Sequence, residues 1–438
     1  MVGSGLPETY ELKVLINYIQ SVIKKYNRPI TVPKELAHLI NRISEALDDL
    51  DNSEYMYLYG LANVAATSKV PNDLFKYWDT VATAREKYRK DTVLFSGEVH
   101  EYSSTDVDDF LNRWIHELDL GIERALAVGN HGEDKNDILS GITPTYFSYN
   151  ITTWEVTGKK NAEGHPFVIA KEMEVGKFPL FLEGVVRMMK TVEKDEAQSI
   201  YERVKNSGLH DKQLGMYTLS SSLVGESYDM GRMMAFSPGW LENQSVWMHM
   251  SYKYYLELLR KGMFVEFFEE MQSGMLPFID EKMYGRSVLE CSSFIASSAF
   301  VDPSMRGKGF QARLSGSTAE FMSMWVLMMI GPSPFLIDEK TGFLEMQLVP
   351  ALPFWLFQND SAAVGQDQTY FVQFKLFSSI NVVYYNSEQN DLFGVSPVRY
   401  KIGLRDGSKI EVDGPTIPND LATNIRRVVF IDYIHAYF

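Results

Sequence analysis

Three segments of the chain combine residue types that could bind and process a polar substrate. The first, residues 236–249, carries Glu242, Asn243, Trp247 and His249 after a Pro-Gly turn. If Asn243 caps the helix that follows, these groups lie at its positive end, which favours anions and sugar hydroxyls as ligands. An ordinary capped helix with one core histidine is the alternative interpretation.

The second segment, residues 284–298, is dense in small hydroxyl side chains around one acid, Glu290, and one base, Arg286. Such a run could line a polar cleft. A turn whose hydroxyls satisfy the local backbone explains the same composition.

The third segment places a cation and several hydroxyls directly before a predicted helix, 318–330. Its candidate ligands are Arg313, Ser315, Gly316 and Thr318. A guanidinium, hydroxyls and backbone N–H groups at a helix N-terminus are the components of an inorganic phosphate site. The glycine would let the backbone approach the anion closely.

Helical periodicity indicates the elements that must position these groups. Apolar residues recur at helical spacing through most of the first 330 residues, with a polar, β-favouring excursion at 129–176 that we interpret as a short hairpin. The predicted helices are Glu11–Lys25, Leu36–Leu47, Tyr55–Ala66, Asp73–Tyr88, Val107–Val128, Leu180–Lys190, Lys194–Ser207, Gln244–Lys261, Phe264–Gln272 and Thr318–Ile330.

The hydrophobic period changes from helical to alternating near residue 343. Asp406-Gly407 separates two alternating runs, which is a strong hairpin signal. We therefore expect a helical domain at 1–342, resembling an α/α-barrel, and a β-sandwich at 343–438.

Composition narrows the class of protein. With 438 residues, 45% hydrophobic and 23% charged, the chain is typical of a globular protein with two domains. A net charge of −15 argues against a nucleic-acid or anionic-membrane partner. The single cysteine, Cys291, excludes an intrachain disulfide and a cysteine-rich metal site, so we expect no metal. Without a signal-like or membrane-spanning segment, the expected location is the cytoplasm.

The first and third segments together resemble the inverting phosphorylases related to cellobiose and chitobiose phosphorylase, and most closely the 1,2-β-oligoglucan phosphorylase branch. The family's Glu-Asn-x-x-x-aromatic-x-His segment corresponds to Glu242, Asn243, Trp247 and His249. Its Leu-Thr-Gly-Thr-Ala turn corresponds to residues 314–319.

The resemblance implies an (α/α)6-barrel-like helical domain followed by a C-terminal jelly-roll β-sandwich. It also implies phosphorolysis of β-glucosidic bonds that releases α-glucose 1-phosphate with inversion. The expected substrates are β-1,2-gluco-oligosaccharides. Phosphate replaces the water of an inverting hydrolase, so one carboxylic acid suffices and inorganic phosphate is a co-substrate rather than a cofactor. His249, Ser315 and Gly316 inherit phosphate contacts, and Glu242 inherits a sugar contact.

The chain departs from the family where the general acid is expected. The family's Asp-Trp-Asn-Asp segment is absent, and the nearest candidates are Asp48, Asp49 and Asp51. A solvated helix end is the simpler explanation of these three acids. The family's N-terminal sandwich and an early phosphate-binding arginine also have no counterpart, so we expect the helical domain to be incomplete on its N-terminal side.

Four hypotheses follow from this departure. The chain could be part of a larger enzyme, with a partner chain that supplies the missing region. It could be a self-sufficient enzyme, as a monomer or a homodimer, whose general acid is one of these three carboxylates. It could be an inactive sugar-binding protein derived from the family. It could also be an inverting glycoside hydrolase, for which Glu290 is the only candidate base across the cleft.

Overall fold

The computed structural model describes residues 2–56, 69–129, 141–312, 315–359 and 370–438. The chain divides into two compact units. Unit 1 comprises Met1–Trp247 and Phe294–Gly307, and unit 2 comprises Met248–Ser293 and Lys308–Phe438.

Unit 1 begins with helices whose apolar stripes pack on one another. In the first helix, α1, Ile16 and Ile23 are buried against Val107 and Leu111 of the fourth, which explains the helical spacing of these residues. Asn27 closes α1 in the left-handed conformation at φ 44°. The helices of unit 1 are α1 (Pro7–Tyr26), α2 (Lys34–Asp51), α3 (Asn72–Asp91), α4 (Ser104–Gly129), α5 (Leu182–Met189) and α6 (Lys194–Lys205).

A long antiparallel hairpin is the main β-element of unit 1. Its strands β4 (Tyr146–Lys160) and β5 (Pro166–Lys177) pair along most of their length, and β1 (Val2–Gly5) extends the sheet beside β4. The short strands β2 (Ile30–Pro33) and β3 (Val99–Tyr102) form a second pair. The excursion interpreted from sequence as a short hairpin is therefore a major structural element.

The remainder of unit 1 consists of turns and short strands. β6 (His210–Asp211) pairs with β7 (Met216–Tyr217), and β8 (Val246–Trp247) pairs with the second half of β9 (Ser292–Ile295). Buried Asp211 accepts hydrogen bonds from the backbone N–H groups of Gln213, Leu214 and Ser298, which holds these turns together.

Unit 2 contains a helical part that carries the candidate site. α7 is buried along most of its length, and its side chains pack against α10 and α8. The helices of unit 2 are α7 (Met248–Arg260), α8 (Phe264–Gly274), α9 (Glu281–Tyr284), α10 (Ser315–Met329) and α11 (Asn419–Arg427). The strand β10 (Gly309–Ala312) precedes α10.

The C-terminal strands of unit 2 form one six-stranded sheet in the order β14-β15-β16-β20-β18-β19. β16 and β20 are parallel, whereas the other neighbours are antiparallel. The strands are β14 (Gln358–Asn359), β15 (Tyr370–Leu376), β16 (Ile380–Tyr385), β18 (Arg399–Leu404), β19 (Lys409–Asp413) and β20 (Ile431–Tyr437). Two small antiparallel pairs lie outside it: β11 (Phe335–Ile337) with β12 (Leu344–Met346), and β13 (Ala351–Leu352) with β17 (Leu392–Phe393).

The predicted fold class, an (α/α)6-barrel-like domain followed by a jelly-roll, is wrong. The structure is 44% helix and 25% strand, and its described helices close no barrel. Residues 146–177 form strands where a barrel would need helices, and residues 206–247 contain no α-helix. A jelly-roll packs two antiparallel sheets, whereas the described C-terminal strands form one large sheet with a parallel pair.

Individual elements were predicted better than their arrangement. The Asp406-Gly407 hairpin is confirmed, with β18 and β19 antiparallel and Gly407 at φ 87°. Residues 57–66 of the helix predicted at Tyr55–Ala66 lie outside the described residues. The boundary at 343 stays a prediction. None of the helices in the described part of the chain has the length and apolarity needed to cross a membrane.

Candidate functional site

The imidazole of His249 lies against the first turn of α10 in unit 2. His249 is the second residue of α7, and Gly316 is the second residue of α10. A Cβ added to Gly316 would lie only 2.5 Å from Cδ2 and Nε2 of the His249 ring. Since real Cβ atoms do not approach other atoms so closely, only glycine permits this contact. The structure thus brings two of the residues predicted for the phosphate site, His249 and Gly316, into contact.

The hydroxyl of Ser317 and the single thiol of the chain, Cys291, form a contact that supports the same turn. Ser317 is fully buried, and its Oγ lies 3.0 Å from Sγ of Cys291. Burial raises the pKa of Cys291, and the hydrogen bond with Ser317 partly offsets that effect. The contact anchors the first turn of α10 to the segment that leads into β9.

A tyrosine fixes the segment that carries Cys291. The Tyr284 hydroxyl donates to the Glu290 carbonyl at 2.5 Å, and it accepts from the backbone N–H of Ser292 at 2.9 Å. A Cβ on Gly309 would collide with Tyr284, so the strand before α10 also packs closely on this ring. The position of the turn is thus set from both sides.

The electrostatics of this turn combine a helix N-terminus with an ionisable ring. Helix N-termini present N–H groups without intrahelical acceptors and carry about half a positive charge. Nε2 of His249, whose side chain is 31% exposed, lies 3.9 Å from the carboxylate of Glu320. The arrangement can bind an oxyanion beside the imidazole, and the carboxylate of Glu320 lies within ion-pair distance of the ring.

The structure describes some, but not all, of the other residues predicted for the phosphate site. Arg313 lies outside the described residues. Ser315 is the first residue of α10, and its side chain is also outside the description. Thr318 lies in the first turn of α10 and is exposed.

Three of the predicted sugar-site residues belong to unit 1. Glu242 accepts hydrogen bonds from the guanidinium of Arg232 through both carboxylate oxygens. Buried Asn243 donates to the Phe236 carbonyl at 2.8 Å, and its Oδ1 is buried without a hydrogen-bond partner in the described chain. Trp247 donates from Nε1 to the Leu241 carbonyl at 2.8 Å.

The predicted cap at Asn243 has a different role. The helix begins at Met248 rather than Gln244, and Val246 and Trp247 form β8. Asn243 instead closes the turn that follows Pro238-Gly239, because its carbonyl accepts from the Gly239 N–H at 2.8 Å. The division between the units falls between Trp247 and Met248, so His249 belongs to unit 2.

Glu290, the candidate for a polar cleft or a hydrolytic base, lies at the surface of unit 2. Its side chain is 54% exposed and pairs with Arg286 at 3.2 Å. An exposed acid paired with a neighbouring arginine is the usual arrangement of a surface ion pair.

The three candidate general acids lie at the C-terminal end of α2 in unit 1. Asp48 and Asp51 both pair with Arg113, at 2.8 and 3.2 Å, and Asp49 lies 3.4 Å from Lys76. Their side chains are 64%, 49% and 70% exposed, for Asp48, Asp51 and Asp49 respectively. These are the surroundings of surface ion pairs rather than of an acid in an enclosed cleft.

Sequence reasoning missed Ser317, Cys291 and Glu320 as parts of the site. Glu320 follows Gly316 by four residues, so helical spacing alone places both on one face of α10. No comparable signal connects Cys291 to Ser317, because their contact depends on the tertiary packing of two distant segments.

Among the residues that the structure describes, no group of three or more His, Cys, Asp or Glu side chains could hold a metal ion. No protein-family model matches the chain. No curated protein shows a significant sequence match to it.

Proposed function

We propose that the protein takes part in phosphorolysis of β-glucosidic bonds, with inorganic phosphate bound beside His249 at the N-terminus of α10. The substrates proposed are gluco-oligosaccharides, with β-1,2 linkages favoured by the sequence resemblance. The product is α-glucose 1-phosphate, formed with inversion. The proposed location of the protein is the cytoplasm.

The contact between Gly316 and the His249 ring supports the phosphate half of the proposal most strongly. A glycine at a helix N-terminus lets backbone N–H groups approach an anion, and an adjacent imidazole can donate to the same anion when protonated. The carboxylate of Glu320, 3.9 Å from Nε2, stabilises the protonated ring through its opposite charge. A phosphate would lie beside this contact, since the ring and the glycine already touch.

In the proposed reaction, phosphate attacks the anomeric carbon as the glycosidic oxygen accepts a proton from a general acid. His249 and the turn at 315–318 would hold the attacking phosphate and offset its charge. The acid is proposed among Asp48, Asp49 and Asp51, or on a second chain, either another copy or a different partner. Glu242, Asn243, Trp247 and Glu290 remain proposed sugar contacts.

Sugar binding without turnover is the second candidate function. The observation that favours it is the setting of the three candidate acids, which are exposed and paired with Arg113 or Lys76. A general acid works best where its surroundings favour the protonated form, as in an apolar pocket. Hydrolysis has less support, because Glu290 is exposed and paired with Arg286.

The decisive experiment measures release of α-glucose 1-phosphate from β-1,2-gluco-oligosaccharides in phosphate buffer. His249→Ala should raise the phosphate concentration needed for half-maximal rate by about 10- to 100-fold, the value of a hydrogen bond to a charged group. His165→Ala, in the exposed turn of the β4–β5 hairpin, is the matched control and should behave as wild type.

The two candidate functions give different results in the same preparation. Oligosaccharide-dependent thermal stabilisation without product would support sugar binding and contradict phosphorolysis by this chain alone. Product formation that is insensitive to His249→Ala would refute the assigned phosphate site.

A further inference from the structure

Unit 1 contains a cavity of about 440 Å³ that none of the predicted site residues lines. Its wall is predominantly apolar and is formed by the N-terminal strand β1, the helices α3 and α4, and the β4–β5 hairpin. The volume falls within the range of about 300–1,000 Å³ that is typical of small-molecule sites.

The packing of α3 shows that this cavity affects the surrounding structure. α3 is 20 residues long, yet none of its residues is buried. Leu74, Phe75 and Tyr77 on its inner side line the cavity, as does Trp78, which is 50% exposed. A helix normally buries its apolar stripe against a core, so these side chains have room for an additional apolar body.

One charged pair enters this apolar wall. Arg124 donates from Nη2 to Glu117 on the same helix, and the two side chains are only 23% and 14% exposed. Tyr55 also forms a hydrogen bond with the guanidinium. Nη1 of Arg124 is nevertheless buried and has no acceptor with hydrogen-bond geometry among the residues described. Buried donors are almost always satisfied, so this one indicates an acceptor atom inside the cavity.

We propose that this cavity binds a small neutral aromatic alcohol, whose hydroxyl oxygen accepts a hydrogen bond from Nη1 of Arg124 and whose ring lies against Phe75, Tyr77 and Trp78. The same hydroxyl can donate a hydrogen bond to the carboxylate of Glu117. The site is independent of phosphorolysis, because neither phosphate nor His249 contributes to it.

The charges of the wall decide for a neutral ligand. Arg124 and Glu117 neutralise each other, so an anionic ligand would face the Glu117 carboxylate in a poorly solvated space. Lys69 at the rim pairs with Glu172 at 2.7 Å. Burial raises the pKa of Tyr77 to about 12, so this phenol stays neutral as well.

The apolar character of the wall decides against a sugar. A pyranose carries a hydroxyl on nearly every ring carbon, and each buried hydroxyl needs a partner. The cavity provides one unsatisfied buried donor beside an aromatic and aliphatic surface. A flat ring with one hydroxyl matches both features.

Calorimetric titration with 2-naphthol tests the proposal on the full chain, with 2-naphthoate and cellobiose as comparison ligands. We expect saturable binding of one 2-naphthol per chain and at least about tenfold weaker binding of 2-naphthoate, whose added charge lies next to Glu117. Arg124→Met keeps most of the side-chain volume and should weaken 2-naphthol binding by about 10- to 100-fold.

Gly121→Leu provides a second test that does not depend on a buried charge. Gly121 lines the cavity within α4, and a Cβ there would meet only Nη2 of Arg124, at 3.7 Å. Leucine also has a higher helix propensity than glycine, so the variant should fold and fill the cavity. It should abolish 2-naphthol binding, whereas Asp109→Asn on the exposed side of α4 should bind as wild type.

Three results would overturn the proposal. They are no binding of 2-naphthol to the wild type, binding that persists in Gly121→Leu, and cellobiose or 2-naphthoate binding at least as tightly as 2-naphthol. Failure of phosphorolysis would leave these titrations unchanged, so the two proposals fail separately.

Discussion

Replacing Gly316 by alanine would insert a methyl group into the contact between α10 and His249. The new Cβ would lie 2.5 Å from Cδ2 and Nε2 of the imidazole and 2.6 Å from Cε1. Non-bonded carbon atoms prefer separations of about 3.5–4.0 Å, so the ring or the helix must move by roughly 1 Å. Forced overpacking of this kind costs about 1–3 kcal/mol.

Helix propensity acts in the opposite direction. Alanine is favoured over glycine by up to about 1 kcal/mol in a helix interior, and the gain is smaller at the second residue of α10. The difference predicts a net loss of about 0–3 kcal/mol in the free energy of unfolding of Gly316→Ala. The displaced ring should also lower phosphate affinity by at least about tenfold, since a charge-assisted hydrogen bond is lost.

Thermal unfolding with and without phosphate measures both effects in one experiment. Gly121→Ala is the matched control, because its Cβ would meet only Arg124 Nη2, at 3.7 Å, and it should gain stability of up to about 1 kcal/mol. The reasoning is refuted if Gly316→Ala is stabilised as much as the control and keeps the wild-type response to phosphate.

Two further predictions concern the thiol near α10 and a histidine in the C-terminal sheet. Phosphate bound at α10 should slow the alkylation of Cys291 by iodoacetamide. Without phosphate, Ser317→Ala should also slow it, because the hydrogen bond with Ser317 lowers the raised pKa of this half-buried thiol. Equal alkylation rates measured by mass spectrometry would contradict both expectations. Burial, with added repulsion from Lys401 and Lys409, lowers the pKa of His435 below its ordinary 6.5. The unfolded chain therefore binds this proton more readily, so stability should fall as the pH drops below about 6.5, and less so in His435→Gln, as chemical denaturation at pH 5 and 8 would show.

Local patterns in the sequence identified most helices of the protein. The buried positions Ile16 and Ile23 of α1 and Val107 and Leu111 of α4 repeat at helical spacing, and this period is visible without tertiary information. Turn chemistry was equally informative at Asp406-Gly407, where the aspartate side chain accepts from the Ser408 N–H at 2.9 Å.

The arrangement of these elements could not be read in the same way. β20 inserts between β16 and β18, and its parallel pairing with β16 follows from the helix α11 that precedes it. The sequence interpretation had no helix at Asn419–Arg427, and the jelly-roll that it predicted consists of antiparallel sheets. A nine-residue helix is a weak periodic signal.

The long β4–β5 hairpin was underestimated for a related reason. Residues from Trp154 onward in β4 are exposed on both faces, so this part of the strand has no buried apolar face to mark its length. Exposed Trp154 and Val156 are paired instead through the backbone ladder with β5, which composition does not report.

The two halves of the proposed reaction now rest on different kinds of support. Binding an anion requires donors at one point, and the close contact of His249 with α10 depends on the absence of a side chain at Gly316. Proton donation requires a carboxyl group whose surroundings disfavour its charge. Asp48 and Asp51 share Arg113 at the surface, which is the opposite setting. The proposed phosphate binding and the proposed turnover are therefore separable, and loss of one in a variant should not be taken as loss of the other.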